Sequence, residues 1–413
     1  LQRLDFPDQE PPLRTSVFRT ALILGLVSAI GPFAIDMYLP ALPSIGQSLG
    51  ASLRLVQLSL IAFILGMSIT QLFYGPLSDI IGRKKPLYIG ITIFGLASIG
   101  CALAPSIQVL IAFRAIQGIG AGAGTVIPRA VVRDLHTGPA AVRLMSLLML
   151  VFSVSPILAP LCGSLVVALA GWRGVFWTVA TAAALGLVLT STQLEETRPL
   201  AARRQSSWRS ALLSYGHLLA DRHFLGLSLI GAFGIASFFI YLANSSFVII
   251  NHYGLSPTLY SLFFASNAAA FIGTAQFNGW LTGRFGLHRV IRFAVHGFTL
   301  TMCSLFIVMA LGVDRLFVMA ALLFIGYCFL GTIVPNSSVL ALEHHGAIAG
   351  TASALLGTMQ MTVATAVMAL AGIFANGTPL PMTGGIAACS LIAFALVKLM
   401  LGNAADTRPV TVG

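Results

Sequence analysis

Of the twelve acidic residues in this 413-residue chain, Asp36 is the one that lies deep inside a long apolar run, and Arg114 is a charged residue deep inside another. A carboxylate in hydrocarbon costs about 2.5 to 3.5 kcal/mol on insertion scales, and such residues mark ion or substrate paths. A carboxyl group taken out of water holds its proton more readily. Asp36 is therefore expected to take a proton from one side of a barrier and release it to the other, the step that coupling requires. It lies 43 − 36 = 7 residues from the end of its run, and Arg114 lies 114 − 107 = 7 from the start of its own. Both are thus roughly 10 Å below the same surface at about 1.5 Å per residue. Two readings follow: a structural salt bridge that fastens two helices, or a direct or water-linked pair that proton binding loosens. The second is preferred, and both require Asp36 to face the protein interior.

The elements that must position this pair are helices, because lipid cannot satisfy a bare backbone. Hydrophobic residues make up 57% of the chain and charged residues 8%, a balance that excludes an ordinary soluble domain. Spanning a bilayer takes roughly 20 apolar residues. Hydropathy places twelve spans at 17–43, 54–75, 86–104, 107–131, 140–168, 172–191, 223–250, 258–282, 288–312, 315–340, 346–374 and 380–402. The first run lacks a cleavage site of small residues and reads as a retained span.

Basic residues are held on the cytoplasmic side. Of 23 Lys and Arg, Arg54, Arg173 and Arg315 fall in turns on one face and Arg114 within a span, leaving 23 − 4 = 19 for the other face and the termini. Both termini are expected to be cytoplasmic. The net charge of +11 then decorates one side of a membrane protein, and nucleic acid is not an expected partner. Cys101, Cys162, Cys303, Cys328 and Cys389 all sit in apolar segments without CxxC spacing, and read as core thiols. His344-His345 lies in a polar turn, and no metal or other cofactor is expected. No phosphate-binding loop of the Gly-x-x-x-x-Gly-Lys-Ser/Thr type is present, which argues against an ATP-driven pump.

The chain also divides in two. The polar connection 192–222 separates six spans from six, and turns at equivalent places repeat. Gly75-Pro76-Leu77-Ser78-Asp79-Ile80-Ile81-Gly82-Arg83-Lys84-Lys85 follows the second span, and Gly279-Trp280-Leu281-Thr282-Gly283-Arg284-Phe285-Gly286 follows the eighth, an offset of 279 − 75 = 204. Gly283 replaces Asp79 in the second copy.

These residues resemble the major facilitator superfamily, whose signature Gly-x-Leu-x-Asp-x-x-Gly-Arg-Lys/Arg is matched by Gly75, Leu77, Asp79, Gly82, Arg83 and Lys84. Gly75 and Gly82 are expected to allow a tight turn with close helix approach. Asp79 is expected to face a helix N-terminus or an Arg. The resemblance implies a conformational latch, broken when the cytoplasmic side opens. Leu110 to Gly124, with Arg114 and Gln117, resembles the fourth-span motif of proton-coupled drug exporters. Ser155-Pro156-Ile157-Leu158-Ala159-Pro160-Leu161-Cys162-Gly163 resembles the antiporter motif Gly-Pro-x-x-Gly, with Ala159 at the first glycine, so a hinge would rest on Pro160 and Gly163. Asp36 to Pro43, Arg133-Asp134 and Gly171 to Trp177 resemble the Bcr/CflA drug-resistance subfamily.

The resemblance implies an all-α bundle of twelve spans in two pseudo-symmetric six-helix halves that rock around a central site. The segments are a cytoplasmic tail 1–16, an N-terminal bundle 17–191, a linker 192–222, a C-terminal bundle 223–402 and a cytoplasmic tail 403–413. A monomer in a bacterial inner membrane is expected. Tyr38, Gln57, Tyr241, Asn244, Asn267 and Gln360 are candidates for substrate contact, since polar side chains in spans face protein or water. A hydrogen bond between helices is the competing role for each. No acidic residue lies in the C-terminal spans, which favours neutral or zwitterionic substrates such as the phenicol or bicyclomycin types that the resemblance implies. The expected function is proton-coupled export of such compounds. A proton symporter importing a nucleoside or other small metabolite stays open beside it. No Ser/His/Asp or metal constellation supports an enzyme. Energetics permit the coupling: one charge crossing 100 mV releases about 2.3 kcal/mol, against ~1.4 kcal/mol per tenfold concentration ratio.

Overall fold

Every long apolar run is helical in the computed structural model, which describes residues 13–135, 138–200, 203, 208–345 and 349–401. Span one is Leu13–Asp36, followed by a tight turn at Leu39–Ala41 and a short helix Leu42–Ser48; spans two to four are Leu53–Ile81, Lys84–Ala102 and Ile107–Leu135. Spans five and six form one continuous element, Gly138–Gln193, that turns sharply at Gly171 with φ 68 and ψ −178. Span seven is Arg222–Ser246, widening into a π turn at Phe247–His252, and spans eight to twelve are Pro257–Phe285, Leu287–Ala310, Leu316–Leu342, Ala349–Phe374 and Pro379–Leu401. No strand occurs among the described residues.

Among the described residues, ten stretches are long and apolar enough to cross a membrane, and one of them, Ser153–Gln193, has 41 residues. That is about twice the length a bilayer needs, so it serves as two crossings joined at Gly171. Pro257–Phe285 completes the twelve; Asn267, Gln276 and Asn278 make it more polar than the rest. Leu169, Phe293 and Phe317 are among many large apolar side chains that face outward, as a lipid solvent permits.

The packing repeats between the two groups of six. Span four packs on spans two and three, and span three on span six; span ten packs on spans eight and nine, and span nine on span twelve. The repeat extends to close backbone approaches, which small residues allow. A Cβ added at Gly118 in span four would lie 2.8 Å from the Phe63 carbonyl carbon in span two, and one at Gly331 in span ten 3.1 Å from that of Phe271 in span eight. The two groups meet where span two packs on span eleven and span five on span eight.

Several expectations need correction. Span two runs to Ile81, so Gly75 and Pro76 lie within the helix and the chain turns at Gly82, where φ is 95. Gly75 meets only Val126, at an ordinary 3.9 Å, and no close approach depends on it. The 204-residue repeat is visible in the backbone instead: Gly82 and Gly286 have φ of 95 and 83. The 192–222 connection contains a helix, Trp208–Ala220. Cys101 and Cys389 are buried, but Cys162 is exposed. The start of span eleven at 346–348, most of both tails and part of the connection lie outside the described residues.

Candidate functional site

Span one breaks directly after Asp36 because of Pro40. Proline has no N–H to give to the carbonyl four residues earlier, here that of Asp36, and the helix stops at that residue. Asp36 is 5% exposed. Its carboxylate stands in the last turn, where the negative end of the helix dipole opposes an anion. The partner that reaches it is Ser155 of span five, whose hydroxyl donates to Oδ2 at 3.4 Å.

Span five is held against this break by its own small residue. A Cβ at Gly163 would lie 2.9 Å from both the carbonyl carbon and the Cα of Met37, so only glycine lets span five come this close. Pro160 lies three residues earlier, and its carbonyl accepts from Ser261 of span eight at 2.8 Å. Tyr260, next to Ser261, is fully buried and shares a 3.1 Å hydrogen bond with Ser245 of span seven. The structure thus brings Asp36, Pro160 and Gly163 together, and adds Ser155, Tyr260 and Ser261. Ser155 belongs to the antiporter run, where the sequence pattern marks only Pro160 and Gly163.

Arg114 is fully buried but does not pair with Asp36. Its Nη1 donates to the Ala34 carbonyl at 3.3 Å and to Gln117 Oε1 at 2.7 Å. Gln117 in turn donates to Ser98 at 2.7 Å. The guanidinium lies over the rings of Tyr38 at 4.4 Å and Phe63 at 4.2 Å. Its Nε and Nη2 have no hydrogen-bond partner among the described residues. The shared depth holds, since Arg114 bonds the carbonyl of Ala34, but the direct pair does not. Arg114 reaches the Ala34 carbonyl and the Tyr38 ring on either side of the break in span one, while the Asp36 carboxylate meets Ser155 of span five instead.

The remaining candidates are each hydrogen-bonded, four of them to one another. The Tyr38 hydroxyl meets Ser59 at 2.6 Å. Gln57 donates to Asn244 Oδ1 at 2.9 Å and to the Ala243 carbonyl at 3.1 Å, a tie between spans two and seven. Asn267 donates to the Tyr241 hydroxyl at 3.2 Å, and Gln360 to Ser338 at 3.4 Å. Oxygen capacity is left over at Gln57 Oε1 and Asn267 Oδ1. Tyr327, which sequence reasoning passed over, is buried against Tyr241 at 5.4 Å with no partner for its hydroxyl among the described residues. An isolated tyrosine in an apolar run carries no signal of its own.

The turn after span two forms a charged cluster. Arg83, 3% exposed, binds Asp134 through Nε at 2.7 Å and Nη2 at 3.2 Å, Asp79 through Nη1 at 2.8 Å, and Ser78 at 2.8 Å. Arg198 approaches Asp79 and Asp134 at 3.8 and 3.9 Å. The carboxylate that faces a helix N-terminus is Glu196 rather than Asp79. It accepts from the backbone N–H groups of Arg83 at 2.8 Å and Lys84 at 3.2 Å, where span three begins, and of Arg198 at 3.0 Å. Partial burial works against its charge, but these three donors, with Arg203, hold its carboxyl below the usual glutamate value. Gly82 is required twice over, by its φ and because a Cβ would lie 2.8 Å from Glu196 Cδ. Lys84 contributes its backbone, while its ammonium lies over the Tyr88 ring at 5.5 Å. Glu196 and Arg198 were legible only as part of a polar connection.

Comparison with known proteins agrees with this architecture. Residues 24–369 match the model of the Major Facilitator Superfamily. The chain is 38% identical to an uncharacterized MFS-type transporter, YdgK, of Bacillus subtilis (strain 168) over 86% of this chain and 88% of that one. It is 34% identical to Multidrug resistance protein D of Escherichia coli (strain K12) over 82% and 84%, and 28% identical to a bicyclomycin resistance protein homolog of Haemophilus influenzae over 91% and 94%. The crystal structure of a D-xylose-proton symporter superposes with a TM-score of 0.73 at 16% identity, over 94% of this chain and 97% of that one, a likeness of fold. With a family match over most of its length and relatives that carry drug-resistance names, this multi-pass membrane transporter belongs to the Major Facilitator Superfamily and to its drug-resistance subfamily.

Proposed function

We propose that the chain exports small neutral or zwitterionic drug-like compounds, of the phenicol or bicyclomycin type, in exchange for protons. The observation that carries this reading is the setting of Asp36: a buried carboxylate at a break in span one, against the antiporter-motif residues of span five. It forms no ion pair among the described residues. Removal from water and the helix dipole both oppose a bare charge there, so binding and release of a proton alter how span one packs on span five. Arg114 supplies a fixed positive charge at the same depth, and the three N–H bonds of its Nε and Nη2 lack an acceptor among the described residues.

Alternating access follows from the halves 17–191 and 223–402 rocking about this centre. The positive-inside bias puts the turn after span two, the 192–222 linker and both termini on the cytoplasmic side of a bacterial inner membrane. Gln57 and Asn244 then sit near the outer ends of spans two and seven, which supports a state closed to the outside. The Arg83 cluster joins the cytoplasmic ends of spans two, three and four to the linker, and serves as the latch that parts when the cytoplasmic side opens. The working unit is taken to be a monomer.

The test is a susceptibility panel of varied antibiotics and dyes in an efflux-deficient bacterium expressing the chain or Asp36→Asn at equal membrane levels. Protection that vanishes in the variant is the expected result. No protection by either chain, or greater harm from a toxic nucleoside analogue, would overturn export.

A further inference from the structure

We infer that a groove between spans eight, nine and ten is a binding site for an anionic phospholipid, with an acyl chain in the groove and the phosphate at Arg289 and Arg284. The cavity measures about 460 Å³ and is walled by Leu281, Phe285, Phe293, Ala294 and Phe329, with Arg289 at one end. This volume is in the range of ~300 to 1,000 Å³ common to small-molecule sites. Phe293 at its mouth is 72% exposed and Phe285 50%, so it opens sideways toward lipid. An almost wholly apolar channel with a cation at one end has the amphipathic shape of a phospholipid, and gives free phosphate nothing to fill it.

The internal repeat explains why the groove exists in this half. The residue 204 positions before Ala294 is Gly90. A Cβ at Gly90 would lie 3.0 Å from the Gly120 carbonyl, so spans three and four close on each other there. In the second half Ala294 keeps its methyl group. The Phe329 ring turns instead onto Gly297, where its Cε2 would be 2.8 Å from an added Cβ, and it meets Phe293 edge-on at 5.9 Å.

Charge selects the headgroup. The turn after span two holds its arginine among Asp79, Asp134 and Glu196. The matching turn after span eight has Gly283 in place of Asp79 and carries Arg284, His288 and Arg289, while Arg292 donates to the Leu401 carbonyl. Arg284 and His288 form no ion pair among the described residues. The Arg284 guanidinium lies 5.8 Å from the Trp280 and Phe285 rings. That arrangement lays its stem along membrane-facing aromatic surface and leaves its charge at headgroup level. A zwitterionic lipid would bring its own cation to the same arginines.

The test is native mass spectrometry of the detergent-solubilised full chain with phosphatidylglycerol or phosphatidylcholine of equal acyl length. Wild type should retain phosphatidylglycerol at least roughly tenfold better. Arg284→Gln with Arg289→Gln should lower that retention about twentyfold, near fivefold per charge. Both positions are exposed. Ala294→Phe should fill the groove and reduce retention of both lipids. Equal retention of the two lipids by wild type, unchanged retention in the double variant, or full retention by Ala294→Phe would each overturn the site. The readout is lipid, so it is independent of what the protein transports.

Discussion

Gly163→Ala is a one-carbon change whose effect can be worked out from the packing of span five on the broken segment of span one. The added Cβ would stand 2.9 Å from the carbonyl carbon and Cα of Met37. Ordinary contact between carbons is about 3.5 to 4.0 Å, so the two spans must part by roughly 0.6 to 1.1 Å. The atoms met are backbone and cannot swing aside. Such overpacking costs about 1 to 3 kcal/mol. The Ser155 bond to Asp36 is already long at 3.4 Å and breaks with a shift of this size. Gly273→Ala is the matched control, since Gly273 sits within span eight with nothing inside 4 Å of an added Cβ. Drug protection in cells and thermal unfolding in detergent are the assays. Gly163→Ala should melt several degrees lower and protect poorly, while Gly273→Ala matches wild type. Wild-type melting and protection by Gly163→Ala would refute the claim that close approach to Met37 positions Asp36.

Other parts of the molecule give expectations of their own. Gln57→Ala removes one donor shared by Asn244 and Ala243; at about 1 kcal/mol for a net hydrogen bond, the population open between spans two and seven should grow roughly fivefold. Distance measurements between spin labels on the outer ends of those spans read this, and an unchanged distribution counts against the tie. Arg114→Lys keeps a charge but gives up the planar stacking on Tyr38 and Phe63. It should abolish protection at normal expression, and retained activity would reduce Arg114 to a plain point charge. Glu196→Gln should lower the melting temperature at pH 7. Because the folded carboxyl sits below the usual value, its contribution is full above that value and fades as pH falls through the folded one. The gap to wild type should therefore close only in strongly acid buffer, and a gap that persists there would mean the charge is not what matters.

The twelve spans were legible because apolar length is a cumulative signal, and the turn after span two because its glycine and charges stand in fixed order. The depth of Asp36 and Arg114 was legible from counting residues, but their azimuth was not. The count along the chain gives height in the membrane, while the direction of a side chain depends on where Pro40 stops the helix. Glu196 escaped notice because its value lies in three backbone N–H groups, Arg83, Lys84 and Arg198, and backbone donors leave no trace in residue types. The polar side chains Gln57, Asn244, Asn267 and Tyr241 were found as a set, yet their pairing depends on which spans face each other.

Gly171 bears on how two separated charges can act together. Spans five and six have no loop between them, and one residue with φ 68 turns the chain. Phe176, five positions later, lies 5.9 Å from the Arg114 guanidinium and 5.5 Å from the Tyr38 ring. At the other arm, Ser155 and Gly163 rest on Asp36 and Met37. A joint without slack makes the two arms a lever that links the surroundings of Asp36 to a ring beside Arg114, whose guanidinium lies closer still to Tyr38 and Phe63. Carboxylate and guanidinium can then respond to one another mechanically while never touching.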